Sequence, residues 1–133
     1  MTREEICTYE VSKLAKEKGF NEKCYHYYQN GVLESDECFN RYNKGVDSVC
    51  SAPTQSLLQR WLREEKKMYV CPFIITDYED DFHPYVVYWS FVIVNVESGD
   101  SLYREYERID EKRFDTYEHA LEDAELYCLK NLL

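Results

Sequence analysis

The sequence predicts an α+β fold, a single domain over residues 1–133 in which three helices cover an antiparallel sheet of about five strands, in the order α-β-β-α-β-β-β-α. Three observations lead there. Apolar stripes at helical spacing occur near residues 3–18, 51–65 and 114–132. Runs rich in β-branched and aromatic residues occur near 24–33, 68–78, 85–96 and 102–109. Short polar turns join those runs, and strands joined by short turns pair antiparallel.

The first helix is expected at about residues 3–18. Thr2 and Glu5 fit a capping box, and Cys7, Val11, Leu14 and Ala15 share a face opposite Glu10, Lys13, Lys16 and Glu17. Lys18-Gly19-Phe20 offers glycine for a left-handed stop, followed by a hydrophobic residue. Cys24–Gln29 then reads as a strand, Asn30-Gly31 as a hairpin turn and Val32-Leu33 as the return. Between Glu34 and Cys50 the periodicity is lost, with Phe39, Tyr42 and Val46 as the only anchors, and a connection of that length is expected to be either a functional loop or a segment with structure that the pattern does not reveal.

Ser51–Glu65 carries the strongest helical stripe, Leu57, Leu58, Trp61 and Leu62, with Gln59, Arg60 and Arg63 turned away and Pro53 suited to the first turn. Met68–Tyr78 reads as a strand in which Pro72 is confined to an edge, a bulge or the first residues. Tyr85–Val96 is apolar on both faces and therefore central, whereas Leu102–Ile109 alternates like a solvated outer strand. The last helix starts near Asp115 or Thr116, with Tyr117, Ala120, Leu121, Ala124, Cys128 and Leu132 turned inward and Glu118, Glu122, Asp123 and Glu125 turned to water.

Two segments, Ser51-Ala-Pro-Thr-Gln-Ser-Leu-Leu-Gln-Arg-Trp-Leu-Arg-Glu64 and Phe114-x-Thr-Tyr-Glu-x-Ala-Leu121, together resemble a family of small uncharacterised proteins of phage and prophage-type elements in gut Bacteroidetes. With the Lys-Glu-Lys-Gly-Phe20 end of the first helix, the likeness covers about a third of the chain. It departs from the family at His119, where a second acidic residue is common. The resemblance implies a mobile-element context and no activity, cofactor or site residue.

Charge narrows the function classes. With 16 basic and 26 acidic residues the chain carries −10, most of the excess lying after residue 50. Phosphate backbones and anionic membranes are bound by lysine and arginine, so neither nucleic acid nor membrane is an expected partner. The order helix, three strands, helix over 54–132 has the topology of a double-stranded-RNA-binding domain, but those domains grip RNA with basic helix ends that this chain lacks. Six cysteines look at first like a disulfide count, but an N-terminus without an apolar run points instead to a cytoplasmic protein with reduced thiols, several of them buried.

No motif carries a recognisable chemistry, and no catalytic residue, metal or cofactor is expected. Cys24-x-His26, Cys38 and Cys50 lack the paired short spacing of a zinc site, and Asp77–His83 lacks the glycine and terminal glutamate of a calcium loop. The 13 tyrosines stand out, and Tyr25, Tyr27, Tyr28, Tyr103 and Tyr106 form the candidate surface for a protein partner. The leading expectation is a non-enzymatic interaction protein. Alternatives are a small-molecule or hydrolytic site under the 34–50 loop, using His26, Tyr27 and Tyr42, and an acidic mimic of nucleic acid built on the last helix and the 77–81 turn.

Overall fold

The computed structural model describes residues 5–35, 48–77 and 85–133. Its elements are α1 (Tyr9–Glu17), β1 (His26–Gln29), β2 (Val32–Ser35), β3 (Val49–Ser51), α2 (Gln55–Glu65), β4 (Met68–Asp77), β5 (Val86–Asn95), β6 (Ser101–Arg104) and α3 (Tyr117–Tyr127). A 3-10 turn follows β6 at Glu105–Glu107, and a π-type turn over Cys128–Leu132 ends the last helix. The class is α+β with three helices, as expected. The sheet differs: six strands form two three-stranded antiparallel sheets, ordered β2-β1-β3 and β4-β5-β6, in place of one sheet of five.

The extra strand, β3, lies where a loop end and a helix start were expected. Ser51 pairs with Tyr27 and Cys50 with Tyr28, so the stretch that opens the second helical motif is extended. Pro53 is buried ahead of the helix, its carbonyl accepting the Cys7 N–H at 2.9 Å. Thr54 is the N-cap, its side chain accepting from the Leu57 N–H.

The chain start also differs from the expected helix over 3–18. Ile6 bridges Thr54 in extended conformation, and α1 begins only after Thr8, whose hydroxyl accepts from the Val11 N–H. Thr2 lies outside the described residues. Where α1 ends, the sequence is decisive: Gly19 has φ +98°, Phe20 N–H bonds to Ala15 O and Gly19 N–H to Lys16 O, the two bonds of a Schellman stop. Asn30 and Gly31, with φ of 51° and 81°, make the predicted tight hairpin.

Two of the three helices cover one face of the second sheet, while α1 packs on α3 and on β3 of the first sheet. α2 lies over β4, and α3 over β4 and β5. Leu58, Trp61 and Leu62 of the α2 stripe are buried with Phe20, Val70, Phe91, Ile93, Leu121 and Leu129, while Leu57 packs at the margin. Arg60 is exposed as expected, but Gln59 turns inward and donates to Val70 O at 2.7 Å. A smaller cluster, Tyr28, Cys50, Ala52 and Ile6, holds the first sheet against α1.

The opposite face of the second sheet is covered by the segment that leaves β6. The strand expected over 102–109 stops at Arg104, and the chain then turns back: Tyr106 packs edge-on against Phe73, and the Tyr88 hydroxyl bonds to Glu111 at 3.2 Å beneath the Arg113 guanidinium, 4.5 Å above the ring. Phe114 then exchanges both backbone bonds with Trp89 before α3 begins at its Thr116 cap.

Candidate functional site

The five tyrosines singled out from the sequence are divided between the two sheets and do different things. Tyr25 is 60% exposed, and Tyr27 is half-buried. Tyr28 is buried, packs on Tyr9 at 5.4 Å and donates its hydroxyl to Cys7 O at 2.7 Å. Tyr103 stacks on Tyr127 at 3.7 Å and donates to the Glu105 carboxylate, while accepting from Arg108 at 2.9 Å. Burial and that carboxylate push its phenol up to about 12. Tyr106 is exposed but braced on Phe73. Tyr28 and Tyr103 thus serve the interior, and the rest form no single face.

Exposed apolar side chains occur at Val32 and Leu33 of β2 and at Ile109, and a further open apolar surface lies on the β4–β5 ribbon. Ile74, Val87 and Tyr85 are 52%, 62% and 69% exposed. By strand alternation Ile74 and Val87 share the face that, nearer the other end, carries the buried Val70, Phe91 and Ile93. The ribbon therefore extends the core face beyond the helices.

Its outer edge is open at the same end. Trp89 gives its N–H and C=O to Phe114, so Ile74, opposite Trp89, must turn its own pair away from β5. Val70, Pro72 and Thr76 share that direction. Val70 O is covered by Gln59, and Pro72 has no N–H to expose. Ile74 and Thr76 have no such guard among the described residues.

Two concavities accompany these surfaces. One of about 440 Å³ lies where the segment before α1, the entry to β1 and the start of α2 meet, and is lined by Ile6, Cys24, Tyr25, His26 and Leu57 among others. It contains His26, which was expected in a pocket, but not Tyr27, and Tyr42 lies outside the described residues. The second, about 380 Å³, is a cleft between α1 and α3 lined by Thr8, Val11, Arg113, His119, Glu122 and Asp123.

Beneath that second cleft is a polar cluster that the sequence reading missed. Cys7 Sγ and one carboxylate oxygen each of Glu122 and Glu125 lie within 4.8 Å of one another. Glu125, expected to face water, has no exposed surface. Its Oε1 contacts Cys7 Sγ at 3.9 Å, and its Oε2 has no hydrogen-bond partner. Glu122 is half-buried and held at both ends, Oε1 accepting the Thr8 N–H at 2.8 Å and Oε2 the Gln55 Nε2–H at 2.9 Å. Burial, reinforced by Glu122, holds the Glu125 carboxyl well above the carboxylate range; burial, then Glu125, does the same to the Cys7 thiol.

The helical pattern did contain a pointer to this site. Glu125 stands four residues after Leu121 and three before Cys128, on the buried stripe itself. Residue type, not position, had assigned it to solvent. The other expected carboxylates are also engaged: Asp123 pairs with Lys112 at 3.6 Å, which leaves Glu118 as the exposed acid of the helix.

The five described cysteines are free thiols, four of them buried, and Cys38 lies outside the described residues. So does all of the Asp77–His83 cluster except Asp77, which meets Arg113 at 3.5 Å. No helix among the described residues is long and apolar enough to cross a membrane. No protein family, curated protein or solved structure matches the chain.

Proposed function

We propose that the protein is a non-enzymatic interaction protein, and that it binds its partner through the far end of the β4–β5 ribbon. The observation that carries this reading is the coincidence of an open apolar face and an open strand edge at Ile74–Thr76. An added strand would take hydrogen bonds from the edge and bury Ile74 and Val87, the mode in which main-chain pairing supplies affinity and side-chain pockets supply selectivity. The charge of −10 favours a partner with a basic surface. A mobile-element setting is part of the proposal and rests on the Ser51–Glu64 and Phe114–Leu121 segments alone.

Thr76→Pro removes one edge donor without touching the β5 pairing, and Val87→Lys places a charge on the apolar face. Both positions are exposed, so both variants should fold. Affinity capture from host-cell lysate should retain a partner on the wild type and lose it on each variant. No reproducible partner, or one retained by both variants, refutes the reading.

A second reading is favoured by the 440 Å³ concavity at Tyr25 and His26, which is large enough for a small ligand. Ligand-induced perturbation of the His26 ring resonances in a small-molecule screen would support it, and an unresponsive His26 would remove it. Nucleic-acid mimicry is not proposed, because α3 turns Glu125 inward and ties down Glu122 and Asp123.

A further inference from the structure

We infer that Cys7, Glu122 and Glu125 bind one divalent cation of borderline softness, zinc being the type. The donors come from two places that only the fold unites: the extended entry to α1 supplies the sulfur, and one face of α3 supplies two carboxylates three residues apart. Zinc takes thiolate sulfur at about 2.3 Å and carboxylate oxygen at about 2.1 Å in tetrahedral array, which sets ligand atoms roughly 3.5 Å apart. The 3.9 Å between Cys7 Sγ and Glu125 Oε1 is already close to that value. The thiolate selects against magnesium and calcium, which take oxygen ligands.

Independent support comes from the orphaned Glu125 Oε2. A buried carboxyl oxygen without a donor is costly whether the acid is ionised or neutral. Sharing a carbon with a donor oxygen of the cluster, it would be satisfied by a bound cation as the second, longer contact of the same carboxylate, the fourth tetrahedral position being left to water. Ligand orientation is also built in. Thr8 N–H and Gln55 Nε2–H fix both oxygens of Glu122, Gln55 being held in turn by Glu118 O at 2.9 Å, and the Tyr28 hydroxyl pins the Cys7 carbonyl. Such outer partners are what hold metal ligands in place. Glu122 and His119 both line the 380 Å³ cleft, which gives an ion a route from solvent to the buried pair.

Binding displaces the Cys7 thiol proton and the Glu125 carboxyl proton to solvent. Cys7 as thiolate, Glu125 and Glu122 then contribute three negative charges against two positive, and the Gln55 and Thr8 donors face the excess.

Chelator-stripped, full-length protein titrated with Co²⁺ tests the site. The expected result is uptake of one equivalent with sulfur-to-cobalt charge-transfer absorption, displacement by Zn²⁺, and a Tm that rises with added Zn²⁺. Cys7→Ser should abolish the absorption, and Glu125→Gln should weaken binding at least about tenfold, the loss that even an outer partner can produce. Cys71→Ser, at a half-buried cysteine on β4, should change neither. Folded protein that takes up no ion, uptake without thiolate absorption, or absorption that survives Cys7→Ser overturns the inference. Should Cys7→Ser fail to fold, undiminished affinity in both Glu122→Gln and Glu125→Gln overturns it equally.

Discussion

Glu125→Gln should make the metal-free protein more stable at neutral pH, and by an amount that grows with pH. The carboxyl has no exposed surface, and burial raises its folded-state pKa well above the ordinary value of 4.5. An acid raised in this way keeps its proton on folding and loses it on unfolding. The stability it contributes is therefore fully present below about pH 4.5 and is lost as pH rises toward the folded-state pKa. One proton sets the slope at no more than about 1.4 kcal/mol per pH unit, hence at most about 3 kcal/mol between pH 5 and pH 7. Glutamine has nearly the same shape and no proton to lose. The difference between wild type and variant cancels the titrating groups that Glu125 does not perturb, including Asp123, whose carboxyl burial also raises; Cys7 and Cys128, which Glu125 does perturb, are thiols raised above their ordinary range and stay protonated in the folded state across these pH values. Urea unfolding in chelator at pH 5, 6, 7 and 8 gives that difference directly. Parallel pH profiles for the two proteins would refute the reasoning, because they would mean that Glu125 is as well solvated folded as unfolded.

Two further substitutions test the packing. Trp61→Ala removes a buried ring that meets Phe20 edge-on at 5.4 Å and shields the end of α1, and it should cost about 3–5 kcal/mol in denaturant unfolding; near-wild-type stability would show that the α2 stripe does not carry the core packing assigned to it. Tyr103→Phe keeps the stack on Tyr127 but deprives the buried Glu105 Oε2 of its donor, so a loss of about 1–3 kcal/mol is expected, and an unchanged urea midpoint would remove the role assigned to that hydroxyl.

Features that depend on a few neighbouring residues were legible in the sequence. The Gly19 stop, the Asn30-Gly31 hairpin, the Thr116 cap and the buried α2 stripe follow from backbone freedom, hydroxyl capping and periodicity, each of which acts within one or two turns. The central position of β5 was legible for a similar reason, since both of its faces are apolar.

What failed depends on distant partners. β3 is three residues long and exists because Tyr27, Tyr28 and Gln29 pair with it across an intervening stretch; nothing in Val49-Cys50-Ser51 alone demands a strand. The α1 start was misplaced because Thr2 and Thr8 both offer a capping hydroxyl, and the choice is made from outside. Glu122, from the far end of the chain, takes the Thr8 N–H, while Pro53 and Glu5 lock the preceding residues into an extended pairing with the α2 entry. The second sheet lost its expected long outer strand because residues after Arg104 find better burial folding over Phe73 and Tyr88 than continuing beside β5.

Among the described residues two glutamates are fully buried, and they show why the misreading of α3 bears on function. Glu105 is satisfied at both oxygens, by the Tyr103 hydroxyl and by the Lys112 N–H at 2.9 Å, and its burial is explained by the loop it fastens. Glu125 has a thiol contact on one oxygen and nothing on the other, at a position where periodicity calls for an apolar side chain. Folding gains nothing from an acid there, and the nearby Thr8, Gln55 and Tyr28 bonds fasten the surrounding groups without reaching its free oxygen. A helical pattern that holds at Leu121, Ala124 and Cys128 and breaks at one organised polar point is the mark of a site that serves something other than the fold. A cation supplies the charge and the coordination that this point lacks, whereas Glu105 lacks neither.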